Sequence, residues 1–291
     1  MKKWSVLTLG LPILALACLS FARTATAGEA PKPHSDGLRL YVFDCGTLPA
    51  MSPATFNLKP EQVKSSTDLV TTCFLIVHPK GTLMWDVGQI PDAHIPDDGT
   101  EVVEEKVLRA KRRLSTQLAA VGYRPQDITY LAMSHYHGDH TANANAFAHS
   151  TWIVQQAEYA AMFDPNNPGS HYLSTFEALR NSRHIILKNA DYDVFKDGTV
   201  IIKTAPGHTP GHQMLFLKLK HTGPMLLAGD LYHLPEEKTF DTVPTFEFDP
   251  AQTRASRKKE QEFVRQTGAI EWIQHSAELY AKAKKAPDFY D

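Results

Sequence analysis

Between residues 134 and 140 the chain reads Ser-His-Tyr-His-Gly-Asp-His, three imidazoles and a carboxylate directly after an apolar stretch. Nitrogen and oxygen donors without a thiolate suit metals that keep a coordination position open to water, whereas structural zinc sites are closed shells rich in Cys. The run predicts a metal centre, for two ions, and points to hydrolysis. If residues 128–133 form a buried strand, the loop leaving it can offer His135 and His137 to one ion from alternate positions, with Asp139 and His140 falling to a second.

One such stretch cannot complete two coordination shells, so further ligands are expected at other strand ends. Three places supply them. Val200–Thr204 reads as a strand running into Ala-Pro-Gly-His-Thr-Pro-Gly-His (205–212), where paired Gly and Pro allow a tight loop presenting His208. Residues 225–228 read as a buried strand ending at Gly229 and Asp230, and residues 269–273 as a short strand ending near His275. His212 repeats the His208 pattern with no vacancy left to fill, which suits a supporting role. His34, His78, His94, His149, His171, His184 and His221 carry no ligand spacing.

With these motifs, the Tyr41-Val42-Phe43 start and the first hairpin (Phe74-Leu75-Ile76-Val77 and Leu83-Met84-Trp85-Asp86-Val87-Gly88), the chain resembles the metallo-β-lactamase superfamily. Within it, the N-acyl homoserine lactonases, which open the lactone ring of quorum-sensing signals, are the similar family. The resemblance implies an α/β fold, the αβ/βα four-layer sandwich: two mixed β-sheets packed together, helices on the outer faces, metals in the cleft at the upper sheet edges. Carried over residue by residue, it implies one metal held by His135, His137 and His208, a second by Asp139, His140 and His275, and Asp230 bridging them.

The cofactors so implied are two divalent ions, Zn²⁺ first, with manganese, iron or cobalt admitted by the same donors. A shared hydroxide would attack an ester carbonyl, and the metals would stabilise the released alkoxide. Related lactonases place an assisting tyrosine three residues beyond the bridging Asp. This sequence has His233 there, with Tyr232 one position earlier, so the expected catalytic residues are Asp139, His233 and Tyr232, either of the last two serving as the assisting group. The resemblance makes Asp230 an argument against a β-lactamase. A thioesterase, a phosphodiesterase and a non-catalytic zinc-binding protein stand as the other readings.

At 291 residues, 43% hydrophobic and 21% charged with a net charge of −2, the chain has the composition of a soluble globular protein able to bury a two-layer core. No basic patch interleaved with aromatics points to nucleic acid, and the cationic stretches 109–113 and 254–259 fall on predicted helices. The expected partner is a small lactone or ester, with a homodimer open. Lys2 and Lys3, the apolar residues 6–22 and Ala25-Thr26-Ala27 read as a signal peptide over residues 1–27, leaving one hydrolase domain over 28–291, exported to the periplasm or beyond, without stable membrane insertion. Cys18 sits in a poor lipobox, so lipid anchoring is the lesser reading. Cys45 and Cys73 then remain; two buried thiols are expected, although an oxidising compartment permits a disulfide.

The coarse path has strands over 38–43, 69–78 and 82–87, then a helix over 104–121 with Leu108, Leu114 and Leu118 at helical spacing. A strand to residue 133 follows, then a helix over 142–147, a strand over 151–154, a helix over 157–163 and a strand-rich section over 184–227. Residues 46–66 and 240–246 carry Leu48, Met51, Phe56, Phe240 and Phe246, which either wall an acyl chain or cover the core.

Overall fold

The computed structural model describes Met1 and residues 36–291, apart from residue 106. Contacts divide the chain into Met1–Pro31 and Lys32–Asp291, and the fold is that of the second unit. The expected signal peptide, its cleavage site before Gly28 and Cys18 lie outside the described residues. No helix among the described residues is long and apolar enough to cross a membrane.

Two mixed sheets form the centre. The strands of the first are β1 (Arg39–Leu48), β2 (Leu69–His78), β3 (Gly81–Trp85), β4 (Val102–Glu104), β5 (Leu108–Ala110), β6 (Tyr130–Ala132), β7 (Thr151–Gln155) and β8 (Arg183–Leu187). They lie in the order β4-β5-β1-β2-β3-β6-β7-β8. The second sheet holds β9 (Tyr192–Asp193), β10 (Val200–Thr204), β11 (Gln213–Leu219), β12 (Gly223–Leu227) and β13 (Ile270–Trp272), in the order β13-β12-β11-β10-β9. The helices are α1 (Leu114–Ala120), α2 (Gly138–Thr141), α3 (Gln156–Phe163), α4 (Leu173–Phe176), α5 (Pro235–Phe240), α6 (Pro250–Thr267) and α7 (Ala277–Lys282).

Strand alternation explains the layering. On β2, Cys73, Leu75 and Val77 share a cluster with Leu114 and Leu118 of α1 and Ala161 and Met162 of α3. Phe74 and Ile76 point the other way, into a cluster with Leu215, Leu217, Met225 and Leu227 of the second sheet. The far face of that sheet, Met214, Phe216 and Leu226, packs against Phe263 and Val264 of α6 and Leu279 of α7. The result is helix, sheet, sheet, helix: the four-layer αβ/βα sandwich.

Two expectations fail here. The helix expected over 104–121 forms only as α1, and residues 102–110 make the β4–β5 hairpin, paired through Thr47 and Arg109 to β1. Leu108 packs with Val102, Ile90, Ile95 and Ala110 instead of on a helix face, and the β-branched Val102 and Val103 favour the extended form. Asp92 sets the true helix start, its carboxylate accepting from the amides of Leu114 at 2.7 Å and Ser115 at 2.8 Å. The cationic stretch 109–113 thus leaves β5 instead of lining a helix, and Arg109 and Lys111 pair with Glu101.

Cys45 and Cys73 are joined in a disulfide, contrary to the expected free thiols. Phe43 is the register partner of Cys73, and a shift in pairing between Asp44 and Thr47 lets Cys45 reach back across to β2, with the Cα atoms 5.9 Å apart.

Candidate metal centre

Each expected ligand lies just past the end of a strand. His135 and His137 follow β6, which runs parallel to β3, and Asp139 and His140 open α2. His208 sits in the β10–β11 loop, Asp230 follows β12, and His275 follows β13, parallel to β12. The ligand atoms of His135, His137, His208 and Asp230 lie within 4.8 Å of one another, as do those of Asp139, His140, Asp230 and His275. Asp230 belongs to both groups. The structure therefore brings all seven sequence-derived ligand candidates into one cluster with a shared carboxylate.

The orientation of the rings tests whether a cation fits. His275 Nδ1 donates to the Val70 carbonyl at 2.9 Å, His208 Nδ1 faces Glu247 Oε1 at 2.8 Å, and His140 Nδ1 faces Asp86 Oδ2 at 3.0 Å. An outer acceptor on Nδ1 fixes the tautomer and leaves the Nε2 lone pair turned inward, the arrangement a metal-binding histidine needs. Inside, His135 Nε2, His208 Nε2 and His137 Nδ1 converge at 2.9 to 3.2 Å, more nitrogens than protons can pair. His140 Nε2 and Asp230 Oδ1 are buried without a hydrogen bond. The donor set fits two cations.

Burial pushes His137 down to about 3, with the neighbouring His208 adding to it, and holds His135 well below the ordinary imidazole range. Burial opposes the charge on His140 too, but the carboxylates of Asp230, Asp139 and Asp86 outweigh it and raise that imidazole. The imidazoles of His275 and His140 hold Asp230 well below the usual carboxylate range in spite of its burial. A cation entering here competes with the His140 proton, so binding releases protons.

Residues 66–266 match the metallo-beta-lactamase superfamily. The chain belongs to this superfamily. Among its curated relatives is the N-acyl homoserine lactonase AttM of Azorhizobium caulinodans, 31% identical over 267 residues, which span 87% of this chain and 99% of the relative. The N-acyl homoserine lactonase AiiA of Bacillus thuringiensis subsp. kurstaki is 29% identical over 228 residues, 76% of this chain and 87% of that one. A solved N-acyl homoserine lactone hydrolase, with the product N-hexanoyl-L-homoserine at its catalytic metal centre, superposes with a TM-score of 0.68 at 27% identity, covering 86% of this chain and 98% of that chain. As a member of this superfamily with such relatives, the chain is a hydrolase.

Around this superfamily centre, four buried carboxylates went unread in the sequence: Asp86, Glu158, Glu237 and Glu247. Asp86, at the end of β3, accepts from the Ser134 amide at 2.6 Å as well as facing His140. Glu247 also accepts from the Thr253 hydroxyl. Only the Asp86 position carried a signal, since the strand-end logic used for Asp230 applies equally to the end of β3. His212 is spent on the backbone: Nδ1 donates to Ala205 O at 3.0 Å and Nε2 accepts the Asp230 amide at 3.0 Å, which matches the supporting role expected for it.

His233 and Tyr232 separate. His233 Nε2 lies 3.3 Å from Asp230 Oδ2, with Glu237 Oε1 3.4 Å from its Nδ1. Burial works against its charge, but Glu237 and Asp230 raise it to about 10. Tyr232 is fully buried and points away, its hydroxyl accepting from Gln261 at 2.9 Å and its ring under the Arg257 guanidinium at 4.3 Å. The expectation of Tyr232 as an assisting group is corrected: past the Gly229–Leu231 turn the backbone at Tyr232 is extended, with φ −141° and ψ 143°, so its side chain and that of His233 lie on opposite sides.

Of the apolar residues weighed as an acyl wall, Phe246 is 43% exposed and its ring stands 5.3 Å from that of His233 and 5.8 Å from that of His208. Phe56 is buried beneath it, against His233. Beside Asp139, a cavity of about 370 Å³ is lined by Leu48, Gln89, His94, His171 and Tyr172 as well.

Proposed function

We propose that this protein opens the lactone ring of N-acyl homoserine lactones with two divalent metal ions, zinc in the first place, held by His135, His137 and His208 on one side and Asp139, His140 and His275 on the other, with Asp230 shared. The observation that carries the reading is the pair of four-residue ligand groups meeting at Asp230. It is supported by relatives named as lactonases that the chain matches almost end to end. When bound, ions of this kind lower the pKa of water and polarise a carbonyl.

The chain's own part is positional. His233, with Glu237 behind it and Phe56 and Phe246 packed on its ring, keeps an imidazole N–H beside the shared carboxylate, suited to protonating the ring oxygen that leaves. Phe246 supplies an apolar surface at the mouth that excludes water, and the cavity beside Asp139 has room for the acyl amide. We place the protein in an exported compartment: the basic and apolar N-terminal residues suit a signal peptide, and the Cys45–Cys73 disulfide suits an oxidising environment.

The test is proton release by the chain from Gly28 onward, with metal restored, on a short-chain and a long-chain N-acyl homoserine lactone. Ring opening that chelation abolishes supports the reading. No turnover with two ions bound would discard the lactone and send the search to thioesters and phosphodiesters.

A further inference from the structure

Glu158 lies in the first turn of α3, is 3% exposed, and is absent from both ligand groups. Its Oε1 accepts from the Tyr136 amide at 2.8 Å, the peptide N–H between His135 and His137. The Thr209 hydroxyl, next to His208, lies 3.0 Å from Oε1 and 2.8 Å from Oε2, and the Gly211 amide donates to Oε2 at 2.8 Å. No cation pairs with this carboxylate in the described residues. A Cβ at Gly211 would meet the Glu158 backbone nitrogen at 2.5 Å, so the close approach of helix and loop depends on that glycine. A buried carboxylate without a counter-ion is costly, and among the described residues its side-chain partners are the two loops that carry three histidines.

We infer that Glu158 is a positioning residue that sets the spacing between the His135–His137 loop and the His208 loop, and so governs metal affinity at that half of the centre selectively. The other half is tied differently, through Asp86 to His140 and Val70 to His275, with no contact to Glu158. This rests on the two-metal reading proposed above. Replacing Glu158 lets the two loops move apart and weakens the three-histidine half, while the Asp139, His140 and His275 half keeps its affinity.

The experiment is stepwise zinc and cobalt titration of the metal-stripped chain, comparing wild type with Glu158→Gln and Thr209→Val, the latter losing only the hydroxyl contact. The cobalt absorption spectrum reports each half without reference to turnover. One site weakened about 10- to 100-fold in Glu158→Gln, with the second within about threefold and a smaller selective loss in Thr209→Val, is the expected result. Two unchanged sites, or an equal loss at both, overturns the inference while leaving the two-metal reading intact. If Glu158→Gln does not fold, Thr209→Val decides alone, an unchanged three-histidine site counting against the inference. A wild-type chain that takes up fewer than two ions overturns both.

Discussion

At the scale of single residues, direction in space separates groups that are neighbours in sequence. His233 faces the shared Asp230, and Tyr232 is held under Arg257 and against Gln261. Replacing His233 with Phe is expected to lower kcat about 10²-fold, the usual worth of a placed proton donor, with bound metal unchanged. Tyr232→Phe is expected to leave kcat within about twofold and to cost about 1 kcal/mol of stability, the worth of one hydrogen bond; steady-state rates with chemical denaturation of both variants check the order. Glu158 makes a separate prediction. Burial raises its carboxyl from 4.5 to about 7, with the Thr209, Gly211 and Tyr136 donors opposing. A raised folded pKa means the native state holds the proton more tightly, so the contribution is full below about pH 4.5 and is lost as pH climbs through about 7, about 3 kcal/mol in all. Over pH 5 to 8 the metal-free wild type should lose Tm relative to Glu158→Gln, and parallel curves would refute the shift.

Among the elements, β1 and β2 carry the longest pairing in the molecule and the disulfide that locks it. The bond closes a loop with a sequence separation of 28, which by chain entropy stabilises the fold by about 3.6 kcal/mol. For a domain of this size that corresponds to roughly 10 °C in Tm. Calorimetry with and without reductant, and of the double variant Cys45→Ala with Cys73→Ala, is expected to show that drop, and a Tm unmoved by either would mean the bond constrains nothing. The same pair of strands shows where legibility stopped. Strand existence followed from runs such as Leu69–His78, but the shift in register between Asp44 and Thr47 that brings Cys45 to Cys73 leaves no mark in composition or periodicity. The stretch 102–110 misled for a related reason: Leu108, Leu114 and Leu118 satisfy a helical period, while Leu108 belongs to a small cluster with Ile90 and Ile95 that only the folded chain assembles.

Across the whole molecule, the candidate metal centre is a seam. His135, His137, Asp139 and His140 hang from the first sheet, and His208, Asp230 and His275 from the second, so metal bound at the shared Asp230 ties the two layers together. Metal that binds only the folded chain stabilises it by about 2.7 kcal/mol at a hundredfold excess over Kd. Chelation should therefore lower Tm and zinc restore it in a concentration-dependent way; a Tm indifferent to metal would mean the ligands do not close on it.

The candidate ligands and their places at strand ends were legible in the sequence, because metal coordination demands particular donor atoms and a strand–loop boundary is a local pattern. The sandwich was legible through the family resemblance that those motifs carry, while the apolar runs by themselves marked only strands and helices along the chain. Only the tertiary structure decided which carboxylates stand behind the histidines. Asp86, Glu158, Glu237 and Glu247 carry no spacing in the sequence that marks them, and each acquires its meaning from burial against a partner on another element. Likewise the choice of His233 over Tyr232 and the Cys45–Cys73 bond depend on how the chain turns by one residue, a matter set by long-range packing that no local period records.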